Sequence, residues 1–391
     1  MRSSSMDGPE PGSSASRSTP PPSVHLSSTT PEGSIYWRED RFQQEMDRLY
    51  FHNWLNIAPE HRIARPGDHL TQSLGAENLL LVRDTEGQLR GFYNVCRHRG
   101  TRLIERPNGS DLTAIVCPYH AWTYSLDGRL IGAPQTRELT DFDRKDFGLY
   151  PIQVGTWGGF VWANLDPAAP PLRHALGEFF DRYERFSIGS LQLGAARTYE
   201  VGANWKLLVE NYSECYHCAP VHPELNRITP YFTGENDAHF ITAGPKRKFA
   251  GGYMTFAGDF TSMVRSGYTR RPPLRGMTEE DRKRVSYHVV FPNLFFSLHP
   301  DYLMIHRTWP ISPVRSIVEN EFYFDPATMA QPDFDPSDAV DLWDEINQQD
   351  WKVCELAQQG TRSRIWNGGR YSGQESMVCD FDLFVRDQMG E

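Results

Sequence analysis

Residues 96–120 read CRHRGTRLIERPNGSDLTAIVCPYH, with one cysteine and one histidine at each end of the stretch. Cys96 and His98 form a C-x-H pair, and Cys117 and His120 form a C-x-x-H pair after a connector. Two thiolates and two imidazoles suit either a structural zinc site or a [2Fe–2S] cluster in which two cysteines hold one iron and two histidines the other. The mixed spacing favours the cluster, because zinc fingers pair cysteine with cysteine and histidine with histidine around a helix.

The sequence around these pairs is typical of short antiparallel strands. Between residues 53 and 166, runs rich in leucine, valine and aromatic residues alternate with turns that contain Gly, Pro or Asp. Residues 78–83 and 89–95, for example, flank the turn at residues 84–87. This regular spacing predicts a small antiparallel β domain over residues 53–166, with the ligand pairs on loops between its strands.

The rest of the chain differs in composition and in its predicted secondary structure. Residues 1–33 are dominated by Ser, Pro, Gly and Thr, which cannot bury enough apolar surface to fold, so we expect a disordered extension. Residues 34–52 contain a helical pattern, and residues 167–391 mix longer helices with a run of strands. The sequence therefore predicts an α+β protein with two folded domains, in which the helix of residues 34–52 belongs to the second domain.

The composition limits the classes of function. The chain has 391 residues and a net charge of −10, so it lacks the basic surface that nucleic-acid binding requires. No apolar stretch approaches the roughly 18 residues of a membrane span, and the N-terminus lacks the apolar core of a signal peptide. The six cysteines are sparse, and four of them (Cys96, Cys117, Cys215 and Cys218) lie beside histidines, which favours metal chemistry over disulfides. We expect a cytoplasmic protein that binds neither nucleic acid nor membranes.

A second group of candidate ligands lies at residues 210–223, which read ENYSECYHCAPVHP. Residues 205–218 have the pattern of a helix, on which Glu210, Glu214 and His217 share one face because they are four and three residues apart. His222 follows just beyond the expected end of this helix. An ordinary polar surface with two incidental histidines is the alternative explanation of this segment.

A carboxylate that would complete a metal site lies near the C-terminus. Residues 337–359 predict a long helix with an apolar stripe, in which Asp350 is the acidic member. A buried Asp has to be paired, hydrogen-bonded or bound to a metal, and a salt bridge to an arginine is the alternative here. Two histidines and one carboxylate are the facial triad of non-haem iron(II) oxygenases. The stripe consists of Ala339, Trp343, Ile346, Asp350, Val353 and Ala357.

Both segments resemble the large subunits of Rieske non-haem iron oxygenases. C-R-H-R-G-T and C-P-Y-H-A-W are similar to the Rieske motif, and E-N-x-x-E-x-Y-H-x-x-x-x-H is similar to the iron-binding motif, so the resemblance spans about residues 36–391. The family usually has Gly where this chain has Ala121. The resemblance implies a Rieske [2Fe–2S] domain and a catalytic domain of the helix-grip (Bet v1-like or START-like) fold that holds mononuclear Fe(2+).

The resemblance also implies roles for individual residues. Asn211 is expected close to the iron, and Glu214 is expected to connect His120 of a neighbouring subunit to His217 within a ring-shaped homotrimer. The implied cluster ligands are Cys96, His98, Cys117 and His120, and the implied iron ligands are His217, His222 and Asp350.

By the same resemblance, we expect the terminal oxygenase of a system that uses O₂ and electrons from a separate NAD(P)H-dependent reductase. The segment E-C-Y-H-C around Glu214 is most similar to members that hydroxylate or N-demethylate quaternary ammonium compounds such as betaines. The alternative within the family is the α subunit of an aromatic ring-hydroxylating dioxygenase. The alternatives from other classes are a Rieske protein that only transfers electrons and a zinc-stabilised binding module.

Aromatic side chains between residues 250 and 306 are candidates for the wall of a substrate pocket. An aromatic cage binds a quaternary cation well, although aromatic pockets also suit aromatic substrates and most such side chains lie in protein cores. The candidates are Tyr253, Phe256, Phe260, Phe291, Phe296, Tyr302, Met304 and His306.

Overall fold

The computed structural model describes residues 29–241 and 247–391. Most of the segment that was expected to be disordered, residues 1–28, lies outside the described residues. For residues 29–33 the structure corrects the sequence prediction, because they contact the C-terminal part of the chain. The amide of Thr30 donates to the carbonyl of Gly369 at 3.2 Å, and Gly33 is buried beside the backbone of Thr361.

Eight α-helices occur in the described residues. They are α1 (Glu39–Glu45), α2 (Leu172–Tyr183), α3 (Trp205–Tyr212), α4 (Cys218–Val221), α5 (Pro223–Ile228), α6 (Pro326–Met329), α7 (Ser337–Gly360) and α8 (Ser376–Met389). Helix α1 continues into a π-helical turn over Met46–Tyr50, whose apolar side chains share one hydrophobic core with Trp205 of α3. The N-terminal helix therefore packs with the C-terminal half of the chain.

Ten short strands, all paired antiparallel, form the N-terminal β domain. They are β1 (Leu55–Pro59), β2 (His69–Leu74), β3 (Glu77–Arg83), β4 (Leu89–Tyr93), β5 (Asn108–Gly109), β6 (Ile115–Val116), β7 (Thr123–Tyr124), β8 (Leu130–Gly132), β9 (Gln153–Trp157) and β10 (Phe160–Asn164). Their sheets have the orders β1-β10-β9, β4-β3-β2-β5 and β6-β7-β8. Cys96 lies just after β4 and Cys117 just after β6, so both ligand pairs lie on loops between strands, as predicted.

A seven-stranded antiparallel sheet follows. Its strands are β11 (Gln192–Val201), β12 (Gly234–Ala238), β13 (Phe249–Thr255), β14 (Arg284–Val290), β15 (Leu294–Leu298), β16 (Leu303–Ser312) and β17 (Arg315–Phe324), in the order β11-β17-β16-β15-β14-β13-β12. Alternate side chains of β16 pack into two different hydrophobic cores, because successive residues of a strand point to opposite faces of the sheet. Met304 packs in a core with Trp343 of α7, and Ile305 packs in a core with Phe179 of α2. The mixed helix and antiparallel-sheet architecture confirms the predicted fold class.

The helix predicted over residues 205–218 is shorter than expected. It begins at Trp205 with Asn204 as its N-cap, but it ends at Tyr212. The hydroxyl of Ser213 donates to the carbonyl of Val209 at 2.6 Å, and the carboxylate of Glu214 accepts the amide of His217 at 3.2 Å. Such side-chain bonds compete with the helical ladder, so Glu214 and His217 lie on a turn and not on a helix face.

The two halves of the chain are joined by buried polar contacts. The amide of Asn56 on β1 donates to Oδ1 of Asn293 at 3.0 Å, and Nδ2 of Asn293 donates back to the carbonyl of Asn56 at 2.9 Å. This reciprocal pair satisfies four polar groups away from water and fixes one domain against the other. Within the described ranges, no helix is both long and apolar enough to span a membrane.

Candidate metal centres and active-site cavity

The two loops with the Cys–His pairs share one hydrogen-bond frame. In the first, the amide of Cys96 donates to the carbonyl of Thr101 at 2.8 Å, and the amide of Gly100 donates to the carbonyl of Cys96 at 3.0 Å. In the second, the amide of Cys117 donates to the carbonyl of Trp122 at 2.8 Å, and the amide of Ala121 donates to the carbonyl of Cys117 at 3.1 Å. The two loops are therefore matching turns, although one residue separates Cys from His in the first loop and two residues separate them in the second.

The last residue of each turn adopts a left-handed backbone conformation. Gly100 has φ of 69° and Ala121 has φ of 54°. Glycine adopts this region without steric cost, whereas the Cβ of alanine meets the following carbonyl oxygen. The departure from the family pattern at Ala121 therefore affects the backbone of the ligand loop.

The thiols of these loops are buried and their imidazoles are exposed. Cys96 and Cys117 are each 2% exposed, and the Tyr124 hydroxyl lies 3.3 Å from Sγ of Cys96. That hydroxyl accepts the amide of Arg97 at 3.0 Å, which leaves its own hydrogen for the sulfur. Burial raises the pKa of the Cys96 thiol, so its thiolate needs a cation beside it.

The two histidines stand together at the surface of this domain. The rings of His98 and His120 are 4.8 Å apart, His98 stacks on Trp122 at 4.9 Å, and His120 stacks on Tyr119 at 3.6 Å. Two buried sulfurs behind two exposed imidazole nitrogens are a donor set that fits a binuclear cluster with one histidine-bound iron near the surface. Trp122 and Tyr119 hold the rings in place.

The second group of ligands converges on one point. One donor atom each from His217, His222 and Asp350 lie within 4.8 Å of one another. Oδ1 of Asp350 is 3.2 Å from Nε2 of His217 and 2.8 Å from Nε2 of His222. In the described parts of the chain, this is the one cluster of three or more such residues that could hold a single metal ion.

Hydrogen bonds fix the tautomer of both histidines. Nδ1 of His222 is 2.6 Å from Oε1 of Gln349, and Nδ1 of His217 is in contact with the carboxylate of Glu214. Each oxygen accepts a hydrogen bond, so each Nδ1 carries a hydrogen, and each Nε2 faces the centre, where it can bind a metal once it has lost its own proton. This arrangement of two imidazoles and one carboxylate fits a divalent cation with open positions.

The charges of this group compensate one another. Burial lowers the pKa of His217, but its hydrogen bonds with Asp350 and Glu214 outweigh burial and raise the pKa to about 10. Burial raises the pKa of Asp350, and its bonds to the two histidines outweigh that effect and lower the pKa. The protons on the imidazoles of His217 and His222 therefore occupy the position that a metal ion would take. A metal ion has to displace these protons when it binds.

A disulfide encloses one of these histidines. Cys215 and Cys218 are bonded, so Tyr216 and His217 lie within a four-residue loop that is closed at both ends. The interpretation of these two cysteines as metal-directed is therefore wrong for this segment. Both cysteines line the cavity described next.

A cavity of about 790 Å³ opens beside the three candidate ligands. Among the described residues that line it there is no Lys or Arg, and the carboxylates are those of Glu214, Glu235, Asp237 and Asp350. Glu235 and Asp237 belong to the exposed edge strand β12, where Glu235 accepts the hydroxyl of Tyr253 at 2.7 Å and Asp237 forms an ion pair with Arg182. The aromatic lining residues are Tyr212, Tyr231, Tyr253, Tyr287, Trp343 and Trp351.

Most of the pocket residues expected from the sequence lie elsewhere. Tyr253 and His306 line the cavity, as does Asn211, whose Nδ2 is 3.5 Å from Nε2 of His217. The other candidates fill hydrophobic cores, because helices α2, α7 and α8 cover the sheet and take up the aromatic side chains that face them. These corrected residues are Phe256, Phe260, Phe291, Phe296, Tyr302 and Met304.

Sequence reasoning missed several residues of the site. Gln349 precedes Asp350 and has no periodic signature, whereas Trp343 was assigned to the apolar stripe without a role in a pocket. Glu235 and Asp237 are two residues apart in a short segment, GENDA, in which Ala238 is the one apolar side chain, so no hydrophobic alternation indicates a strand. Their spacing gives no dependable signal either, because an irregularity in the pairing between Asn236 and Ala238 interrupts the alternation of β12.

Two family models match the chain. The model of the Rieske [2Fe-2S] domain matches residues 53–143. The model of the ring hydroxylating alpha subunit (catalytic domain) matches residues 188–391, which is more than half of the chain. The Rieske match rules out the zinc alternative for the Cys–His pairs.

Comparison with individual proteins indicates the same family. The glycine betaine monooxygenase oxygenase subunit of Pseudomonas aeruginosa is 31% identical over 366 residues, which cover 86% of this chain and 83% of that protein. The carnitine monooxygenase oxygenase subunit of Acinetobacter pittii is 37% identical over 191 residues, which cover 48% of this chain and 51% of that protein. The crystal structure of the quaternary ammonium Rieske monooxygenase CntA with gamma-butyrobetaine has a TM-score of 0.74 at 26% identity, covering 92% of this chain and 95% of CntA. The chain therefore belongs to the Rieske non-haem iron oxygenases, oxidoreductases that use a [2Fe–2S] cluster and a mononuclear iron.

Proposed function

We propose that this protein is the terminal oxygenase component of a system that hydroxylates or N-demethylates a small quaternary ammonium compound. The lining of the cavity carries this proposal, because its described residues include no Lys or Arg and combine carboxylates with aromatic rings. Carboxylates and aromatic faces together stabilise a cation that has left water. The names of the relatives, glycine betaine and carnitine monooxygenase oxygenase subunits, support the same class of substrate.

We assign the cluster to Cys96, His98, Cys117 and His120, and the iron to His217, His222 and Asp350. When bound, the cluster supplies single electrons and the iron supplies a site for O₂ activation. The buried cysteines keep the sulfur end of the first site away from water, and the exposed histidines give electrons a short route to the surface. Glu214 and Gln349 hold the ligand histidines in the tautomer that metal binding requires.

Glu214 has a second role in this proposal. Its carboxylate contacts Nδ1 of His217, and the adjacent Tyr216 is 55% exposed, so the segment can meet another subunit. Tyr119, beside His120, is 56% exposed on the β domain. We infer a homotrimer in which the partner subunit's His120 bonds to Glu214 and passes the electron towards His217. A separate NAD(P)H-dependent reductase supplies the electrons, and Asn211 positions O₂ or substrate beside the iron.

The test is O₂ uptake by the purified protein with NAD(P)H and a reductase, comparing quaternary amines with aromatic acids. Quaternary amines should stimulate uptake and yield a hydroxylated or demethylated product. His217→Ala should abolish turnover, keep the visible spectrum of the cluster and lower the iron content from about three to about two per chain. His239→Ala, which alters another histidine of the same cavity, should retain the third iron. Stimulation by aromatic acids alone would contradict the proposed substrate class.

A further inference from the structure

A disulfide bond lies directly beside the atoms that are proposed to bind iron. Cys215 and Cys218 are bonded, and Sγ of Cys218 is 4.0 Å from Nε2 of His217. Cys218 is also the first residue of α4, and its carbonyl accepts the amide of His222 at 2.9 Å. The bond is therefore connected to both iron-binding histidines, although the proposed reaction gives it no role.

The disulfide attaches the turn that carries His217 to a hydrophobic core. Cys218 is buried in the core on which α7 packs, and Cys215 packs against the same core, whereas Tyr216 between them is exposed. The carboxylate of Glu214 accepts the amide of His217 at 3.2 Å and contacts its Nδ1, and both of these bonds lie within the turn. Such local bonds shape the turn, but the disulfide also fixes it to the rest of the domain.

The other two iron ligands are held by regular structure. Asp350 belongs to the 24-residue helix α7, and the buried His222 is bonded through its Nδ1 to Gln349 of the same helix. His217 lies on a turn, so its position depends most on what holds that turn. Fixing the backbone of one residue costs free energy equivalent to about a tenfold change in an equilibrium constant. Iron binding avoids this cost when a covalent bond holds the turn before the metal arrives.

We propose that the Cys215–Cys218 disulfide is a positioning element of the iron site, which holds His217 in its metal-binding position and couples iron affinity to the thiol–disulfide state of the two cysteines. This inference rests on the iron site of the proposed function and is independent of the substrate class. The C-x-x-C spacing is typical of disulfides that exchange with dithiols. A dithiol that reduces the bond is itself oxidised to a disulfide, and its two hydrogens pass to the sulfurs of Cys215 and Cys218.

The first test is the affinity for Fe(2+) of the full-length protein in its disulfide and dithiol forms. Each form keeps its cluster, is freed of the third iron by a chelator and is titrated with Fe(2+) in the absence of oxygen. Dithiothreitol prepares the dithiol form and is removed before the titration, and mass spectrometry after alkylation verifies the state of both cysteines. We expect the dithiol form to bind iron about tenfold more weakly. Equal binding would overturn the proposal, and so would tighter binding, which would make the released thiols ligands.

The second test measures the same coupling in the reverse direction. Coupling between two equilibria is reciprocal, so iron must stabilise the disulfide by the factor by which the disulfide tightens iron binding. A tenfold change corresponds to about 30 mV for a two-electron couple. We therefore expect Fe(2+) to lower the midpoint potential of the disulfide by about 30 mV in the unaltered protein and to leave it unchanged in His217→Ala. A potential that iron does not change in the unaltered protein would contradict the coupling.

Variants test whether the bond itself is the cause. Cys215→Ser and Cys218→Ser cannot form it, so each should bind iron about as weakly as the dithiol form, and dithiothreitol should not weaken binding further. Cys379→Ala, which alters another buried cysteine on α8, should keep both the tighter binding and its loss on reduction. The visible spectrum of the cluster shows whether each variant has folded, and the potential measured on the unaltered protein decides the question if a variant does not fold.

The outcomes separate this inference from the proposed function. Retention of the third iron by His217→Ala would overturn the iron site itself, and with it the inference. If His217→Ala loses the third iron but the disulfide and dithiol forms of the unaltered protein bind iron equally, the proposed oxygenase stands and the disulfide has no positioning role. Failure of oxidised glutathione to join the two thiols into a disulfide would likewise remove that role.

Discussion

At the scale of single residues, Ala121 shows that a ligand motif can be retained while its backbone is strained. Its φ of 54° is the conformation that Gly100 adopts in the matching turn. We predict that Ala121→Gly stabilises the loop by about 1 kcal/mol, the usual cost of a left-handed conformation at a residue with a Cβ. Thermal loss of the cluster's visible absorption measures the effect.

Gly100→Ala is the matched control for this prediction. Open space surrounds the position where its Cβ would be placed, so the expected loss of about 1 kcal/mol comes from the backbone alone. If Ala121→Gly lowers the temperature at which the cluster is lost, the strain argument is wrong. The residue identities of both Cys–His pairs were predictable from the sequence, but the handedness of residue 121 was not, because only the shared hydrogen-bond frame reveals it.

Glu214 allows a second test at the residue scale. In Glu214→Gln the side-chain oxygen still accepts a hydrogen bond from Nδ1 of His217, so iron binding should persist while the negative charge is lost. We predict that the reduced cluster accumulates and that its reoxidation in a single turnover with substrate and O₂ slows about 10- to 100-fold. Glu345→Gln, on an exposed part of α7, is the control. Reoxidation at the normal rate would remove Glu214 from the electron route.

At the scale of secondary-structure elements, helix α7 organises the active site. One helix carries Trp343, Asn347 and Asp350 on the side that faces the cavity, and Gln349 reaches His222 from the adjacent position. The apolar stripe that predicted this helix also predicted where its carboxylate would lie. The stripe did not reveal Asn347 or Gln349, because hydrophobic periodicity carries no information about which polar neighbours turn inward.

We predict that Gln349→Leu weakens iron binding about 10- to 100-fold, because Nδ1 of His222 loses the oxygen that fixes its tautomer. Gln348→Leu is the matched control, since Gln348 is exposed and bonds to Asp344 on the outer side of the same helix. Iron retained after dialysis against a chelator measures the effect. Equal iron loss from both variants would show that the helix, and not the bond to His222, is responsible.

The loop between α3 and α4 shows that helical periodicity in the sequence does not predict where a helix ends. The pattern predicted a continuous helix over residues 205–218, yet the side chains of Ser213 and Glu214 bond to nearby backbone groups and end the helix at Tyr212. This early end separates Glu210 from Glu214, although both were expected on one helix face. Glu210 accepts the hydroxyl of Tyr36 at 2.8 Å and belongs to a different buried network.

At the scale of the whole molecule, that network ties the N-terminal segment, α3 and α8 together. Burial raises the pKa of Glu210 on α3 well above its ordinary value, with the neighbouring charge of Asp382 as the next cause. Burial raises the pKa of Asp382 on α8 to about 7, against the hydrogen bond from Tyr371. Tyr36, Lys206 and Arg386 also face this pair, which holds a proton at neutral pH.

The sign of the pH dependence follows from the raised pKa of Asp382. The folded state keeps a proton that the unfolded chain releases near its ordinary pKa of 3.8, so the stabilisation is complete below that pH and is lost as the pH rises towards 7. We predict that Asp382→Asn, which resembles the protonated carboxyl, raises the urea midpoint of unfolding at pH 8 but not at pH 5. Asp341→Asn, exposed on α7, should change neither midpoint. A gain of equal size at both pH values would contradict a shared proton.

The proposed route of electrons across subunits makes the assembly part of the active site, and mixed trimers test it directly. A chain with Cys96→Ala and His98→Ala lacks the cluster, and a chain with His217→Ala lacks the iron, so trimers of either chain alone should be inactive. In a ring of head-to-tail contacts, random mixing in equal amounts places an intact iron next to the partner subunit's intact cluster in about a quarter of all sites. The mixture as a whole should therefore recover about a quarter of the normal turnover. Transfer within one chain would leave every site without either its cluster or its iron, and the mixture would be as inactive as its parents.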